Sequence, residues 1–424
     1  MCFLNVNNII PDFRHQWFML FIFDRNHKNL GMANNNGTNI IPTALSKLFN
    51  EFFENEKTSG IILLCCTILS LILANSGLQA DYTSFWKIDA GGHHLDHWIN
   101  DGLMTIFFLM IGLELEREIY IGELSNLKNA MLPIFGALGG MLFPAGIFLL
   151  LNYGMPTQSG AGIPMATDIA FAIGILALLG DRVPVSLKIF LMALAVIDDL
   201  GAILTIAIFY SSDISWMYLG GAASIFLILG GLNRLKINNI IPYLIGGVLM
   251  WYCMLNSGVH ATITGILLAF VIPFQNGGEN TTSYKLQSFL HKPVSFVILP
   301  IFALANTAIT INTSSFAGDL FSTNSLGIFF GLVFGKPIGI LLFALLAVRL
   351  KISTKPSDLK WKHIFGVGIL GGIGFTMSIF ITLLAFDDPQ TIDASKIAIM
   401  ISSLVAAIGG LIWLRIALKH SPPT

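Results

Sequence analysis

The chain has 424 residues, of which 54% are hydrophobic and only 11% are charged, and its formal net charge is −1. This charged fraction is roughly half of that in an average soluble domain, which indicates a protein with many membrane-spanning segments. The small net charge gives no electrostatic reason to expect a nucleic-acid partner, and the four cysteines have no spacing typical of a disulfide framework or a zinc site.

The N-terminal part, residues 1–56, is predicted to be a cytoplasmic extension that is partly disordered. It contains a short apolar run, WFMLFIF, between Arg14 and Arg25, which is at the lower limit for the apolar core of a signal peptide. No small-residue cleavage site follows directly, and a polar NNNGTN segment precedes the first long apolar run. Translation that begins at Met32 is therefore a second interpretation of this part.

Twelve apolar runs are long enough to cross a hydrocarbon core of about 30 Å. They define a predicted transmembrane domain over residues 57–415, which is followed by a short cytoplasmic tail over residues 416–424. The runs lie at residues 59–77, 98–116, 129–151, 163–180, 186–210, 214–231, 240–256, 259–274, 291–311, 325–348, 363–386 and 395–414.

The distribution of lysine and arginine supports this count, because these residues are concentrated in the loops on the cytoplasmic side of multi-pass membrane proteins. When both termini are placed in the cytoplasm, nearly all lysines and arginines fall on the inner side. Lys87 and Lys396 fall on the outer side, and Lys336 lies inside the tenth span. The alternation of inner and outer loops agrees with twelve spans.

Ionisable side chains inside the predicted spans are candidates for function, because a charge in a membrane is costly. At a rise of 1.5 Å per residue, four of them lie roughly 15–18 Å along their helices, near mid-depth. These four are Asp168, Asp198, Asp199 and Lys336. Glu114 and Glu118 lie near the inner end of the second span.

Two of the predicted spans contain residues that interrupt a helix. The fourth has Pro164 shortly before Thr167 and Asp168, and the eleventh has the glycine-rich sequence GVGILGGIGFTMSIF. The two spans are seven apart, an odd number, so they run through the membrane in opposite directions, as in an inverted repeat. Irregular backbone at membrane depth requires burial in protein or a cavity. A simpler interpretation is that the glycines only allow close packing, which is also our interpretation of the four glycines at residues 327–339.

The sequence resembles the NhaA-type sodium/proton antiporters from about residue 57 to residue 415. The resemblance lies in IPMATDIAFAIGILALLGDRVP, LKIFLMALAVIDDLGAI, SGVHAT, ILPIFALAN, GKPIGI and GIGFTMSIF. It implies what is known of this family: an all-α polytopic fold with about twelve transmembrane helices, inverted repeats and two interrupted helices that cross at mid-membrane. It also implies location in the bacterial inner membrane, and a homodimer is a further expectation.

The resemblance implies an electrogenic, pH-regulated exchange of intracellular sodium or lithium for external protons, without a cofactor. Asp199 would be the principal sodium ligand, and Asp198 would be the second, pairing with Lys336 when no sodium is bound. Asp168 and Thr167 would lie at the crossing of the interrupted helices.

Four further residues match family positions associated with the pH response or the inner funnel, namely Glu114, Glu118, His260 and Lys285. Two residues depart from the family's best-studied pattern. Gln287 stands where that pattern has a glutamate, and Glu116 replaces a basic residue. These departures leave the pH range of activity open.

Elementary physical chemistry gives a reason for the adjacent aspartates. Burial and mutual repulsion favour the protonated carboxyl groups, whereas a neighbouring lysine or cation favours the charged groups. Protons and sodium would then compete for the same oxygens, and alternating access would turn this competition into exchange.

Four alternative interpretations remain at this stage. The aspartates and Lys336 could form a static ion-pair network, although one lysine does not neutralise three carboxylates. An intramembrane aspartyl protease would require a GxGD motif, and the chain has only MATD, so we expect no enzyme. A sodium-coupled solute symporter would require a pocket for an organic substrate. A metal site is the fourth alternative, and its ligands would be His93, His94, Asp96 and His97.

Overall fold

A computed structural model describes residues 43–210, 214–310 and 316–419, without the side chains of residues 43–57, 123, 127–129, 181, 316 and 317. Contacts group residues 49–424 into one unit. Most of the predicted N-terminal extension and the end of the predicted tail lie outside the described residues. The domain boundaries at residues 57 and 415 therefore stay predictions.

The described residues are almost entirely helical, and their only bridge between extended residues joins Asp89 and His94. A 3₁₀ segment, Pro156–Met165, precedes the helix Ile169–Ala177. The helices are α1 (Thr43–Ala74), α2 (Gln79–Trp86), α3 (Leu95–Tyr120), α4 (Leu127–Asn152), α5 (Ile169–Ala177), α6 (Val185–Phe209), α7 (Trp216–Arg234), α8 (Ile241–Leu255), α9 (Ile263–Val271), α10 (Thr282–Asn306), α11 (Phe316–Leu320), α12 (Thr323–Arg349), α13 (Trp361–Gly371), α14 (Phe375–Ala385) and α15 (Pro389–Ala417).

Each of the twelve predicted spans corresponds to one helix or one bent pair of helices. In the described part of the chain, seven helices are long and apolar enough to cross a membrane, and three bent pairs raise the number to ten. The remaining two predicted spans correspond to α8 and α9, which have 15 and 9 residues. The predicted all-α polytopic fold is confirmed.

The ninth helix is shorter than the apolar run that predicted it, residues 259–274. A turn with Gly258 at φ +81° keeps the residues before Ile263 out of the helix. Pro273 follows soon after Val271, and proline cannot continue a helix without loss of a backbone hydrogen bond. At 1.5 Å per residue, α9 spans only about 14 Å.

Three of the long helices contain a π-helical turn, a feature that is frequent at functional sites. These turns are Trp98–Leu103 in α3, Val294–Ile298 in α10 and Gly331–Gly335 in α12. The turn in α12 ends directly before Lys336, and the turn in α10 contains Ser295. Each turn changes which side chains face the neighbouring helices.

Helices α4 and α12 approach so closely that only glycine fits at their contact. A Cβ atom on Gly139 would lie 2.1 Å from the carbonyl oxygen of Gly339, and a Cβ atom on Gly339 would lie 2.2 Å from the carbonyl oxygen of Gly139. One turn earlier in α12, a Cβ atom on Gly335 would meet Pro144 Cα at 2.9 Å. The predicted packing role of the glycines in α12 is confirmed.

We expect Gly139→Ala to lower the free energy of unfolding by about 1–3 kcal/mol, because the methyl group overlaps the backbone of α12. Gly146→Ala is a matched control in the same helix, since a Cβ atom there would meet no atom within 4 Å. Thermal unfolding of the purified variants in detergent measures both effects. Equal stability of the two variants would contradict the close contact.

Candidate functional site

The two interrupted segments cross each other, as the family resemblance implied. The first passes from the 3₁₀ segment into extended backbone at Ala166 (φ −79°, ψ 154°) and Asp168 (φ −80°, ψ 101°), and then into α5. The second is the break between α13 and α14. At the crossing, Asp168 N donates a hydrogen bond to Ile373 O at 2.7 Å. The hydroxyl of Ser378 donates to Ile163 O at 2.7 Å.

The carboxylate of Asp168 accepts hydrogen bonds at the N-termini of two helices. Its Oδ1 accepts from Phe171 N of α5 at 3.0 Å. Its Oδ2 accepts from the backbone N–H of Thr376 in α14 at 3.1 Å and from the Thr376 hydroxyl at 2.5 Å. A negative charge at a helix N-terminus is favourable because the helix dipole is positive there. Asp168, which is 2% exposed, thus stabilises two helix ends in the crossing.

At the crossing, the C-terminal ends of the 3₁₀ segment and of α13 each have a hydrogen-bond donor beside their last carbonyl group. The ammonium group of Lys336 donates to Met165 O, the end of the 3₁₀ segment, at 2.5 Å. The hydroxyl of Thr167 lies 2.9 Å from Gly371 O, the end of α13. A cation near helix C-termini is favourable for the same electrostatic reason. The crossing therefore separates its charges, with Asp168 at two N-termini and Lys336 at a C-terminus.

Asp198 is part of a fully buried polar cluster with Lys336 and Thr167. Its Oδ2 lies 3.0 Å from Lys336 Nζ and accepts from the Thr167 hydroxyl at 2.8 Å. All three side chains are 0% exposed. A buried ion pair of this kind holds its partners firmly, because loss of one partner leaves a buried charge without compensation.

The adjacent Asp199 has a different environment, although it is 1% exposed. Neither of its carboxylate oxygens has a hydrogen-bond partner. Successive helix residues point about 100° apart, so Asp199 faces away from Lys336 and into a cavity. Together with its mouth, this cavity has a volume of about 430 Å³.

The cavity lies between two groups of helices. One wall belongs to α5, α6 and α14 and includes Asp168, Asp199 and Thr376. The other wall belongs to α3 and α10, and its lining residues are Phe107, Met110, Ile111, Glu114, Ser295 and Leu299. Carboxylate and hydroxyl oxygens in a largely apolar cavity can bind a small cation that has lost part of its water.

The structure brings together only some of the residues predicted for the pH response. Glu114 lines the cavity, and Glu118 lies one turn further along α3, with its carboxylate against Gly122. Lys285 is exposed in the first turn of α10. The neighbouring Tyr284 ring lies 4.7 Å below the Arg117 guanidinium, so the end of α3 adjoins the start of α10.

His260 lies elsewhere. Its Nε2 is 2.9 Å from the carbonyl oxygen of Tyr210, directly after the end of α6. Tyr210 is eleven positions beyond Asp199 in the chain, a distance of about 16 Å at the helical rise. His260 is therefore not grouped with Glu118 and Lys285, and its role in the pH response stays a prediction.

The histidines near the start of α3 have other contacts. His97 Nδ1 lies 3.2 Å from Asp101 Oδ2, and the rings of His93 and His97 stack with centroids 4.4 Å apart. No group of three or more His, Cys, Asp or Glu residues within 43–210, 214–310 and 316–419 is arranged to hold a metal ion. The structure thus gives no support to the metal site considered for His93, His94, Asp96 and His97.

Two side chains of the cavity were not identified from the sequence. Thr376 is part of the quoted GIGFTMSIF segment, and its position two residues after the last glycine of the break was a usable signal. Ser295 stands alone in an apolar run and has no local pattern that would distinguish it from a packing residue.

Two interrupted helices that cross beside buried carboxylates define a class, the multi-pass membrane transporters with discontinuous helices. The chain belongs to the Na+/H+ antiporter 1 family, whose sequence model matches residues 50–414. It is 63% identical over 380 residues to Na(+)/H(+) antiporter NhaA 1 of Flavobacterium johnsoniae, covering 90% of this chain and 100% of that protein.

One further relative supports this family assignment, and one solved structure supports the fold. The chain is 62% identical over 376 residues to the Na(+)/H(+) antiporter NhaA of Cytophaga hutchinsonii, covering 89% of this chain and 97% of that protein. Among solved structures, the sodium proton antiporter MjNhaP1 from Methanocaldococcus jannaschii at pH 8 matches with a TM-score of 0.54. This match covers 89% of this chain and 99% of that one at 14% identity, and so supports the fold alone.

We expect the effects of Lys336→Ala and Asp198→Asn on stability to be strongly non-additive. Once Asp198 is neutral, removal of Lys336 no longer leaves a buried carboxylate without its cation, so the coupling energy should be about 1–3 kcal/mol. Unfolding of the parent, both single variants and the double variant provides the cycle.

A second cycle, Lys336→Ala with Asp388→Ala, is the control. Asp388 caps α15 through Thr391 N at 2.9 Å and shares no partner with Lys336, so its effect should add. Additive effects in the Lys336 and Asp198 cycle would contradict the importance of their ion pair.

Proposed function

We propose that the protein exchanges intracellular sodium or lithium for external protons by alternating access, with Asp199 as the principal cation and proton ligand. The observation that carries this proposal is the bare carboxylate of Asp199 in a cavity. Asp168 and Lys336, the other charged groups at the crossing, have several hydrogen bonds, and Asp198 has an ion pair. The carboxylate oxygens of Asp199 have no hydrogen-bond partner in the protein, so a cation or a proton that enters the cavity is needed to compensate their charge.

Competition for these oxygens couples the two ions. A carboxylate that has bound a proton is a poor sodium ligand, and a carboxylate with bound sodium has no site for the proton. When the site faces the cytoplasm, sodium displaces the protons. When the site faces the outside, protons displace the sodium. The empty site carries an uncompensated charge, whose transfer across the membrane would cost several kcal/mol, so uncoupled reorientation is suppressed.

Lys336 supplies the second proton in this proposal, because its ammonium group is paired with the charged carboxylate of Asp198 when no sodium is bound. Sodium at Asp199 draws Asp198 towards the cation and weakens its contact with Lys336, so Asp199 and Lys336 each lose a proton when sodium binds. More than one proton then moves for each sodium ion, which makes the exchange electrogenic. Because proton and cation compete, the apparent affinity for sodium falls as the pH falls.

Membership of the family and its bacterial relatives support location in the bacterial inner membrane. The concentration of lysine and arginine in alternate loops supports both termini in the cytoplasm. A sodium-coupled symporter is not favoured, since the polar groups of the cavity are mainly carboxylates and hydroxyls suited to a small cation. A homodimer and the absence of a cofactor stay predictions.

We expect Asp199→Asn to insert into the membrane but to lose exchange, because the amide keeps the size of the carboxylate but cannot alternate between a negative charge and a bound proton. Asp198→Asn should impair proton coupling more than sodium binding. Proton movement in vesicles, reported by a pH-sensitive dye, measures exchange after additions of sodium, lithium or potassium. The parent should respond to sodium and lithium.

The exposed capping residue Asp388, substituted with asparagine, is the control and should leave exchange unchanged. Sodium-dependent proton movement by Asp199→Asn at the parental rate would show that the proposed mechanism is wrong. Cation additions that move no protons in parental vesicles would instead favour the symporter.

A further inference from the structure

The two walls of the cavity differ in the oxygens that they offer to a cation. On the wall formed by α5, α6 and α14, Asp199 has bare oxygens, whereas Asp168 and the Thr376 hydroxyl are engaged with each other at 2.5 Å. On the wall formed by α3 and α10, only Glu114 and Ser295 among the lining residues have side-chain oxygens. Of these two, Ser295 provides the neutral oxygen.

The backbone around Ser295 is unusual for a residue that only packs. Ser295 is 2% exposed and belongs to the π-helical turn Val294–Ile298, which interrupts α10 directly after Pro293. Leu299, four residues further along, lines the same cavity, so this face of α10 is directed to the site. A π-helical turn costs regular hydrogen bonding and is frequently found at functional sites.

A serine hydroxyl can serve a cation even when it has a hydrogen-bond partner in the protein. It has one donor and two acceptor lone pairs, so it can donate to the backbone and still direct a lone pair at an ion. Sodium is a hard cation, and like other hard cations it prefers oxygen ligands, which replace the water it loses in a narrow cavity.

We propose that Ser295 on α10 is a ligand of the transported cation, which binds between its hydroxyl oxygen and the carboxylate of Asp199. This inference rests on the proposed function, since it requires that sodium binds at Asp199. It adds a neutral ligand from the opposite wall of the cavity. The cation then joins the two groups of helices, so its binding depends on how closely the walls approach.

The test compares Ser295→Ala, Ser295→Cys and Ser295→Thr with the parent. Alanine and cysteine remove the hydroxyl oxygen, and we expect them to raise the sodium concentration for half-maximal exchange roughly three- to tenfold, as loss of one hydrogen-bond-like interaction with a charge implies. Threonine keeps the hydroxyl and should remain close to the parent. Maximal exchange rates and the preference for sodium over potassium should be retained.

Ser402→Ala is the matched control. Ser402 is another fully buried helical serine, its hydroxyl donates to Ala398 O at 2.6 Å, and it does not line the cavity. If Ser295 had only a structural role, Ser295→Ala would lower the thermal stability, as Ser402→Ala is expected to do, and would leave the apparent affinity for sodium unchanged.

An unchanged sodium affinity in Ser295→Ala would overturn the inference, and if that variant fails to insert, an unchanged affinity in the nearly isosteric Ser295→Cys would do so. Failure of the proposed function is distinguishable, because it would appear as exchange that survives Asp199→Asn, whatever the result at Ser295.

Discussion

Charges that are buried in a membrane protein must be compensated, and in this chain the compensation comes from the crossing of two interrupted helices. Asp168 accepts hydrogen bonds from the N-termini of α5 and α14, and Lys336 donates to the C-terminal end of the 3₁₀ segment. Lys336 also pairs with Asp198. One carboxylate, that of Asp199, is excluded from this network, and it faces the cavity.

The rest of the fold keeps this arrangement in place. The glycine contacts between α4 and α12 bring the helix that contains Lys336 close to its neighbour, and a π-helical turn ends directly before Lys336. The helices α3 and α10 form the opposite wall, and each has a π-helical turn of its own. A closely packed group of helices with fixed charges thus faces a second group across the cavity, a division that suits alternating access.

The sequence was sufficient to predict features with a strong local cause. Pro164 and the glycines of the eleventh span predicted both interruptions, and the length of the apolar runs predicted the helices of the membrane domain. The apolar character of residues 259–274 did not predict the shortness of α9, because a turn and Pro273 limit the helix although the run stays apolar. The contact between Asp168 and Thr376 joins residues 208 positions apart, and no local pattern encodes it. Ser295 was missed for a similar reason, since its position in the cavity depends on how α10 packs.

The central claim is that protons and sodium compete for the bare carboxylate of Asp199. Isothermal titration of the purified protein with sodium, repeated in buffers with different enthalpies of ionisation and at several pH values, counts the protons released per bound ion. We expect proton release on sodium binding and an apparent affinity that falls as the pH is lowered. Sodium binding with the same affinity at every pH, and with a heat that does not depend on the buffer, would contradict the account.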